Sequence, residues 1–269
     1  MKTTVIIPTY NERENLTDLV GEILALDMGA YIIVVDDNSP DGTGQLADDL
    51  AVQNERLRVI HRPGKLGLGT AYIAGFKMAL TDNADRVVTM DADFSHNPRY
   101  VPAVAALTAQ CHVGIGSRYV PGGGVTEDWG PRRRFLSRSA NTFARIMLGL
   151  DAHDCTAGFR CYRREVLQSI ELDRIFSNGY SFLIEMMYRC QRLGYTFGET
   201  PILFENRHQG RSKISQWEIY KAMFTVLRLA MSRLLFWRPA ERYGTRAANL
   251  QTKQHLKAPT SAVPQKPDL

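Results

Sequence analysis

Four consecutive β-branched residues, Ile32-Ile33-Val34-Val35, run without a polar interruption into Asp36-Asp37-Asn38-Ser39. A strand with one wet face alternates apolar and polar residues, so an unbroken apolar run marks a strand covered on both faces, as in a parallel sheet sandwiched by helices. Val5-Ile6-Ile7 and Val87-Val88-Thr89-Met90 repeat the pattern, and helical stretches separate these runs. The alternation predicts βαβ units. Strands are expected at Thr4–Pro8, Tyr31–Asp36, Leu57–His61, Arg86–Asp91 and His112–Ser117, with helices near Glu14–Leu26, Gly44–Gln53, Thr70–Thr81 and Pro98–Thr108. A chain of 269 residues that is 44% hydrophobic and 23% charged has the material for one large core or two small ones.

Ligands of such sheets sit beyond the carboxyl ends of the strands. Three strands end there in polar or acidic clusters: Pro8-Thr9-Tyr10-Asn11-Glu12, Asp36-Asp37-Asn38-Ser39 and Asp91-Ala92-Asp93. Helix capping explains a single Asn or Asp, but not carboxylates after three strands on one edge. Asp91 and Asp93 leave a strand together and offer hard oxygen ligands to Mg²⁺ or Mn²⁺, whose shell is commonly completed by substrate phosphates. The segment Gly64-Lys65-Leu66-Gly67-Leu68-Gly69-Thr70 fits neither GxxxxGK[ST] nor GxGxxG, because Tyr72 stands where the last glycine should be. It reads instead as a turn before a helix whose Ala71 and Gly75 face the sheet.

Charge divides along the chain. Residues 1–100 carry 9 Lys/Arg against 15 Asp/Glu, and residues 101–269 carry 24 against 13. An acidic first half suits metal ions or hydroxyls, and a basic second half suits phosphates, anionic lipid or nucleic acid. The basic set Arg118, Arg132, Arg133, Arg134, Arg138, Arg160, Arg207 and Lys213 falls in predicted loops and element ends. The four cysteines contain no CxxC pair, the six histidines show no metal or triad spacing, and there is no GxSxG elbow. The start of the chain shows no apolar segment of signal-peptide length. The helix predicted near Gln216–Trp237 gathers Glu218, Lys221, Thr225, Arg228 and Ser232 into a narrow polar stripe. That pattern suits a helix lying in a membrane interface, or one docked on the body or on a partner. Trp217, Tyr220, Phe236 and Trp237 favour the interface. From Pro239 onward the composition is that of a disordered basic tail.

Six stretches taken in order resemble the family-2 glycosyltransferases, and among them the polyprenyl (dolichyl) phosphate mannose synthases. They are Pro8–Asn15, Val35–Gly42, Asp91–His96, Gly116–Tyr119, Gly179–Phe182 with Glu185, and Arg207–Lys213. The resemblance implies an α/β fold of GT-A (Rossmann-like) type with a mainly parallel central sheet and a C-terminal amphipathic helix. Its division would be a catalytic domain over 1–215, an interfacial helix over 216–238 and a tail over 239–269. It also implies that Pro8, Tyr10, Glu12, Val35 and Asp37 surround the guanosine of GDP-mannose, with Asp91, Ala92 and Asp93 near ribose, diphosphate and the Mg²⁺ or Mn²⁺. Asp91, Asp93 and Ser95 would supply metal ligands, Arg118, Arg207 and Lys213 would meet phosphates, and Arg133 with Ser137 would face the lipid phosphate.

The implied reaction is inverting transfer of mannose to a polyprenyl or dolichyl phosphate by an enzyme peripheral on the cytoplasmic face of a membrane. Nucleic acid is not an expected partner, and a separate membrane-embedded protein is. UDP-glucose or another nucleotide sugar is the alternative donor, and a soluble glycan or protein the alternative acceptor, for which Asp154 would be the base. A nucleotide-sugar binder without turnover is a further alternative.

Overall fold

The computed structural model describes residues 1–126, 129–205 and 216–235. In chain order its elements are β1 (Thr3–Thr9), α1 (Arg13–Ala25), β2 (Tyr31–Asp36), α2 (Thr43–Gln53), β3 (Leu57–His61), α3 (Leu68–Thr81) and β4 (Arg86–Thr89). There follow α4 (Val101–Ala106), flanked by short 3₁₀ turns, then β5 (Val113–Ser117), β6 (Gly124–Val125) and α5 (Pro131–Leu148). The chain continues through β7 (Arg160–Arg163), α6 (Arg164–Ser169), α7 (Tyr180–Arg192), β8 (Phe197–Pro201), β9 (Leu203–Phe204) and α8 (Gln216–Leu235).

Seven strands form the central sheet in the order β3-β2-β1-β4-β7-β5-β8. All neighbours are parallel except β7, which runs antiparallel between β4 and β5. Successive residues of the apolar runs serve opposite faces. Ile6, Ile33 and Val35 pack with Tyr72, Phe76 and Phe182 under α3 and α7. Val5, Ile7, Ile32 and Val34 pack with Leu16, Leu19, Ile23 and Val104 under α1 and α4. This two-sided burial is what the unbroken β-branched runs require. The chain after α7 divides at Ile202 into β8 and β9, and β9 pairs with β6 in a separate two-stranded ribbon.

The chain leaves β1 toward β2 and β3 on one side, then crosses through α3 to β4 on the other. The order thus reverses at β1, and the crevice of the fold lies beyond the carboxyl ends of β1 and β4. Close packing of α3 on the sheet depends on Gly75, where a Cβ would stand 2.6 Å from the buried Ile6. β5 approaches α4 so closely that a Cβ on Gly114 would run into the carbonyl oxygen of Val104.

Arg160, on β7, is fully buried. Its guanidinium donates to the carbonyls of Cys155 (2.9 Å) and Leu183 (2.7 Å) and to the Tyr162 hydroxyl (3.3 Å). All four cysteines are buried, and burial pushes the Cys155, Cys161 and Cys190 thiols up to about 12. Among the described residues no helix is long and apolar enough to cross a membrane.

The sequence left α8 either in an interface or docked, and the structure docks it on α5 and α7. Its supposed outward polar stripe is partly turned inward: Thr225 is buried with Val226, Leu229 and Ala230, and Arg228 lies over the Phe176 ring. Phe236, Trp237 and the basic tail lie outside the described residues.

Gly114→Ala forces a backbone shift between β5 and α4, an overpacking change. It is expected to lower the unfolding free energy by about 1–3 kcal/mol, measured by urea denaturation, with the midpoint moving and the slope unchanged.

Candidate active site

The carboxyl ends of β1, β2 and the chain after β4 each turn through a residue with positive φ: Asn11 (61°), Asn38 (57°) and Phe94 (61°). Asn tolerates the left-handed region, whereas a bulky aromatic there is strained and must be held by its surroundings. Phe94 is held by burial in the core under α1 and α4. The first two turns are knitted together through Asp36, which is buried. Its Oδ1 accepts from the Thr9 hydroxyl (2.9 Å) and the Ser39 hydroxyl (2.6 Å), and its Oδ2 from the Ser39 N–H. The Asn11 N–H reaches Ser39 Oγ, and the Glu12 N–H reaches Thr43 Oγ1, both at 3.0 Å.

The neighbouring Asp37 stands differently. Its Oδ1 is 3.1 Å from Arg62 Nη1, yet this buried oxygen receives no aligned hydrogen bond among the described residues. Burial raises the Asp37 pKa, against the opposing charge of Arg62. Close, off-axis attraction leaves acceptor capacity at a strand end, where a ligand hydroxyl or N–H could use it. Tyr10 is exposed beside it, with Lys65 Nζ 4.2 Å above its ring. Pro8 pairs in register with Val35. The Val35 side chain is fully buried in the core, one residue before the strand-end acids, so any contact it makes with a ligand would be through its backbone.

Beyond β4, the Asp91 side chain is 31% exposed, while Asp93 and Ala92 are buried. Ser95 donates both its N–H (3.1 Å) and its hydroxyl (2.6 Å) to Asp93 Oδ1, which fixes that carboxylate and turns the Ser95 hydroxyl proton toward it. The Asp91 N–H donates to His96 Nδ1 at 3.0 Å. Accepting there requires a neutral ring protonated at Nε2. Burial lowers the His96 pKa, outweighing the pull of Asp91 and Asp93. The ring stacks on Phe159 and meets the edge of Phe204. Tyr72, the residue that broke the dinucleotide pattern, points its hydroxyl at Asp91 Oδ1 (3.4 Å). Burial keeps that phenol protonated, so it acts as a donor.

Arg118 follows β5 and is committed to Asp154. Nε donates to Oδ2 at 2.8 Å and Nη2 to Oδ1 at 2.9 Å, with a further bond from Nη2 to Thr156 Oγ1. Asp154 is fully buried. Burial alone would raise its pKa, but the charge and hydrogen bonds of Arg118 hold it below the usual carboxylate range. Asp154 is therefore a clamp on Arg118, closed to solvent, and not an available base. Ser137 shares a hydrogen bond of 2.8 Å with the Tyr119 hydroxyl, and Arg133 lies over the buried Trp129 ring.

Asp91, Asp93, Arg118 and Asp154 all act electrostatically on His96, which places the strand-end acids and the first basic residue around one buried ring. Arg207 and Lys213 lie outside the described residues. The all-oxygen pair of Asp91 and Asp93, one open and one pinned, fits a hard divalent cation that takes the rest of its shell from phosphate and water. Among the described residues no cluster of three or more His, Cys, Asp or Glu could hold a metal unaided. His96, Tyr72, Arg62 and Lys65 had no role in the sequence reading. Only His96 carried a signal, as the last residue of the Asp91–His96 stretch.

A model of glycosyl transferase family 2 matches residues 4–171. Polyprenol monophosphomannose synthase of Mycolicibacterium smegmatis is 49% identical over 227 residues, covering 84% of this chain and 85% of that protein. Undecaprenyl-phosphate mannosyltransferase of Micrococcus luteus is 42% identical over 232 residues, covering 86% and 95%. Among solved structures, glucosyl-3-phosphoglycerate synthase from Mycobacterium tuberculosis, in complex with Mn²⁺, UDP and glucosyl-3-phosphoglycerate, superposes with a TM-score of 0.60 at 20% identity. It covers 86% of this chain and 80% of that one, a likeness of fold.

Asp154→Ala leaves Arg118 buried without its counter-charge and is expected to lower stability by about 3–5 kcal/mol in denaturant titrations. Because the folded pKa of Asp154 is lowered, the clamp contributes fully above the unfolded-state value of about 3.9 and is lost as pH falls through the folded one. The stability gap between wild type and Asp154→Ala should narrow over that acid range.

Proposed function

The chain belongs to glycosyl transferase family 2 and has its GT-A fold, and on that footing we propose that it transfers mannose from GDP-mannose to a polyprenyl monophosphate. The observation that carries this reading is the 49% identity, over 84% of the chain, to a polyprenol monophosphomannose synthase. The open strand-end edge supports it.

In this reading the edge beyond β1 and β2 receives the nucleoside. The unsatisfied Asp37 oxygen takes a donor of the guanosine, and exposed Tyr10 offers its ring, with Pro8 and Glu12 beside them. Asp91 and Asp93 would hold Mg²⁺ or Mn²⁺, which when bound offsets the charge of the diphosphate. The chain's own contribution there is orientation. Ser95 pins Asp93, while Tyr72 and the His96-bound backbone set Asp91.

The acceptor needs no base, since a phosphate monoester has a second pKa near about 6 and is largely dianionic at neutral pH. One of its oxygens attacks the sugar C1, the bond from C1 to the GDP oxygen breaks, and GDP leaves with that electron pair. Attack from the face opposite the leaving group inverts the anomeric centre, giving a β-linked lipid phosphate. Positioning of acceptor and donor carries much of the rate. Arg118, rigid on Asp154, presents positive charge beside the acids. Arg207, Lys213, Arg133 and Ser137 belong in this proposal to the acceptor side, at the cytoplasmic face of a membrane.

Purified protein with Mg²⁺ or Mn²⁺ and detergent-solubilised polyprenyl phosphate is given radiolabelled GDP-mannose, in parallel with UDP-glucose. Label is expected in the organic phase from GDP-mannose alone; label from UDP-glucose alone overturns the donor, and from neither the reaction. Asp93→Ala should reduce turnover by about two to three orders of magnitude, the scale of losing a principal electrostatic group, with the fold unchanged by circular dichroism.

A further inference from the structure

A cavity of about 600 Å³ opens between the segment after α6, the last turns of α7, and α8. Four arginines from three elements line it: Arg174, Arg189, Arg192 and Arg228. Two have carboxylate partners. Arg174 pairs with Glu171 at 2.9 Å and Arg189 with the buried Glu185 at 2.7 Å. Arg192 and Arg228 make no ion pair among the described residues, so the cavity holds an excess of two positive charges.

Arginines near a helix C-terminus complement its dipole, which accounts for Arg189 and Arg192. It does not account for Arg174 or Arg228, which arrive from elsewhere. Arg228 lies 3.8 Å over the Phe176 ring. Stacking occupies the face of a guanidinium and leaves its in-plane N–H fork for a planar or phosphate acceptor. This is not the phosphate site of the transfer reaction. Along α7, Arg192 lies roughly 16 to 17 Å from Ser181 at about 1.5 Å per residue, and it is the Ser181 end that packs toward the glycine-rich turn through Phe182 and Gly69.

What adjoins the cavity identifies the ligand. α8 sits between α7 and α5, with Val226, Leu229 and Ala230 buried against them. Its opposite side exposes Tyr220, Met223, Phe224, Leu227 and Met231, with Phe224 at 64%. At 100° per residue these five span about 100° of arc, and Arg228 follows about 40° beyond Phe224 on the cavity side. On the other flank α5 exposes Phe135 (74%) and Ile146 (72%). It carries Arg132, Arg133, Arg134 and Arg138 and no acidic residue. An apolar ridge with arginines on both flanks matches an anionic bilayer in hydrophobicity and charge.

We propose that this cavity binds the headgroup phosphate of an anionic phospholipid while the outward face of α8 rests in the acyl boundary, giving the enzyme a second lipid site apart from the reaction centre. This goes beyond the transfer reaction and does not depend on the donor or acceptor. Its test uses no turnover.

The full chain is sedimented with vesicles of phosphatidylcholine, and with vesicles of phosphatidylcholine and phosphatidylglycerol in equal parts. Partitioning is expected only with the second. Arg192→Gln/Arg228→Gln should weaken it by roughly 10- to 30-fold, the scale of two charges at a lipid surface, and Arg192→Lys/Arg228→Lys should keep most of it. Arg56→Gln/Arg58→Gln makes the same net-charge change at β3, on the opposite edge of the sheet, and should leave partitioning unchanged. Unchanged binding by the cavity variant overturns the proposal. So does an equal loss in the β3 variant, which would mean diffuse attraction. Inorganic phosphate binding by calorimetry without vesicle binding would likewise overturn the lipid assignment.

Discussion

A guanidinium sealed inside the protein without a carboxylate sets the terms for everything on the functional side of the sheet. Arg160 makes no ion pair among the described residues; its two terminal nitrogens donate to two carbonyl oxygens and a phenol, while its Nε finds no partner among them. Burying an ion is unfavourable unless its donors are met, and with Nε already unpartnered the loss of any of these three acceptors would be costly, so they have little freedom to move. One belongs to Cys155, next to Asp154, and another to Leu183, in the first turns of α7. The same contact that holds β7 inside the sheet therefore fixes the loop that grips Arg118 and the helix that closes on the glycine-rich turn.

From that anchor the active edge is assembled in steps of decreasing burial. Asp154 is sealed, Arg118 nearly so, Asp93 is pinned by Ser95, and Asp91 is open. The groups that meet solvent are thus supported by groups that do not. Pre-organisation of this kind matters where charge must be met at a set place, because dipoles already in position need no reorganisation during reaction. The strained Phe94 turn belongs to this scheme, since it lets the chain reverse tightly enough for Asp91, Asp93 and Ser95 to share one bend.

Much of this edge was legible in the sequence because its information is local. An unbroken β-branched run followed by acids states both that a strand is buried and where it stops, and Tyr31–Asp36 and Leu57–His61 fall where the pattern places them. β7 was not legible. Arg160-Cys161-Tyr162-Arg163 is short, begins and ends with arginine, and becomes a strand because β4 and β5 leave a gap for it. The setting of Asp154 was hidden for a related reason. The sequence offered it only as a base for the soluble-acceptor alternative, and only the pairing of β5 with β7 brings Arg118 onto it. Tyr72 looked like a defect in a glycine pattern, and became a hydrogen-bond donor to Asp91 once α3 was laid against the strand ends.

The placement of β7 also governs the order in which the molecule can be completed. β5 is wholly buried, yet both its strand partners are encoded after it, with β6 and α5 intervening before the first of them. β4 likewise presents one unpaired edge until β7 arrives. A growing or refolding chain can close the β3-β2-β1-β4 half from local crossovers, but the other half must await a long-range closure, which is slow for entropic reasons. During that interval two apolar strands offer open edges to any other chain nearby. The hazard to solubility in this protein thus lies in the delay before residues 160–163 reach the sheet, and its severity is a matter of time and concentration.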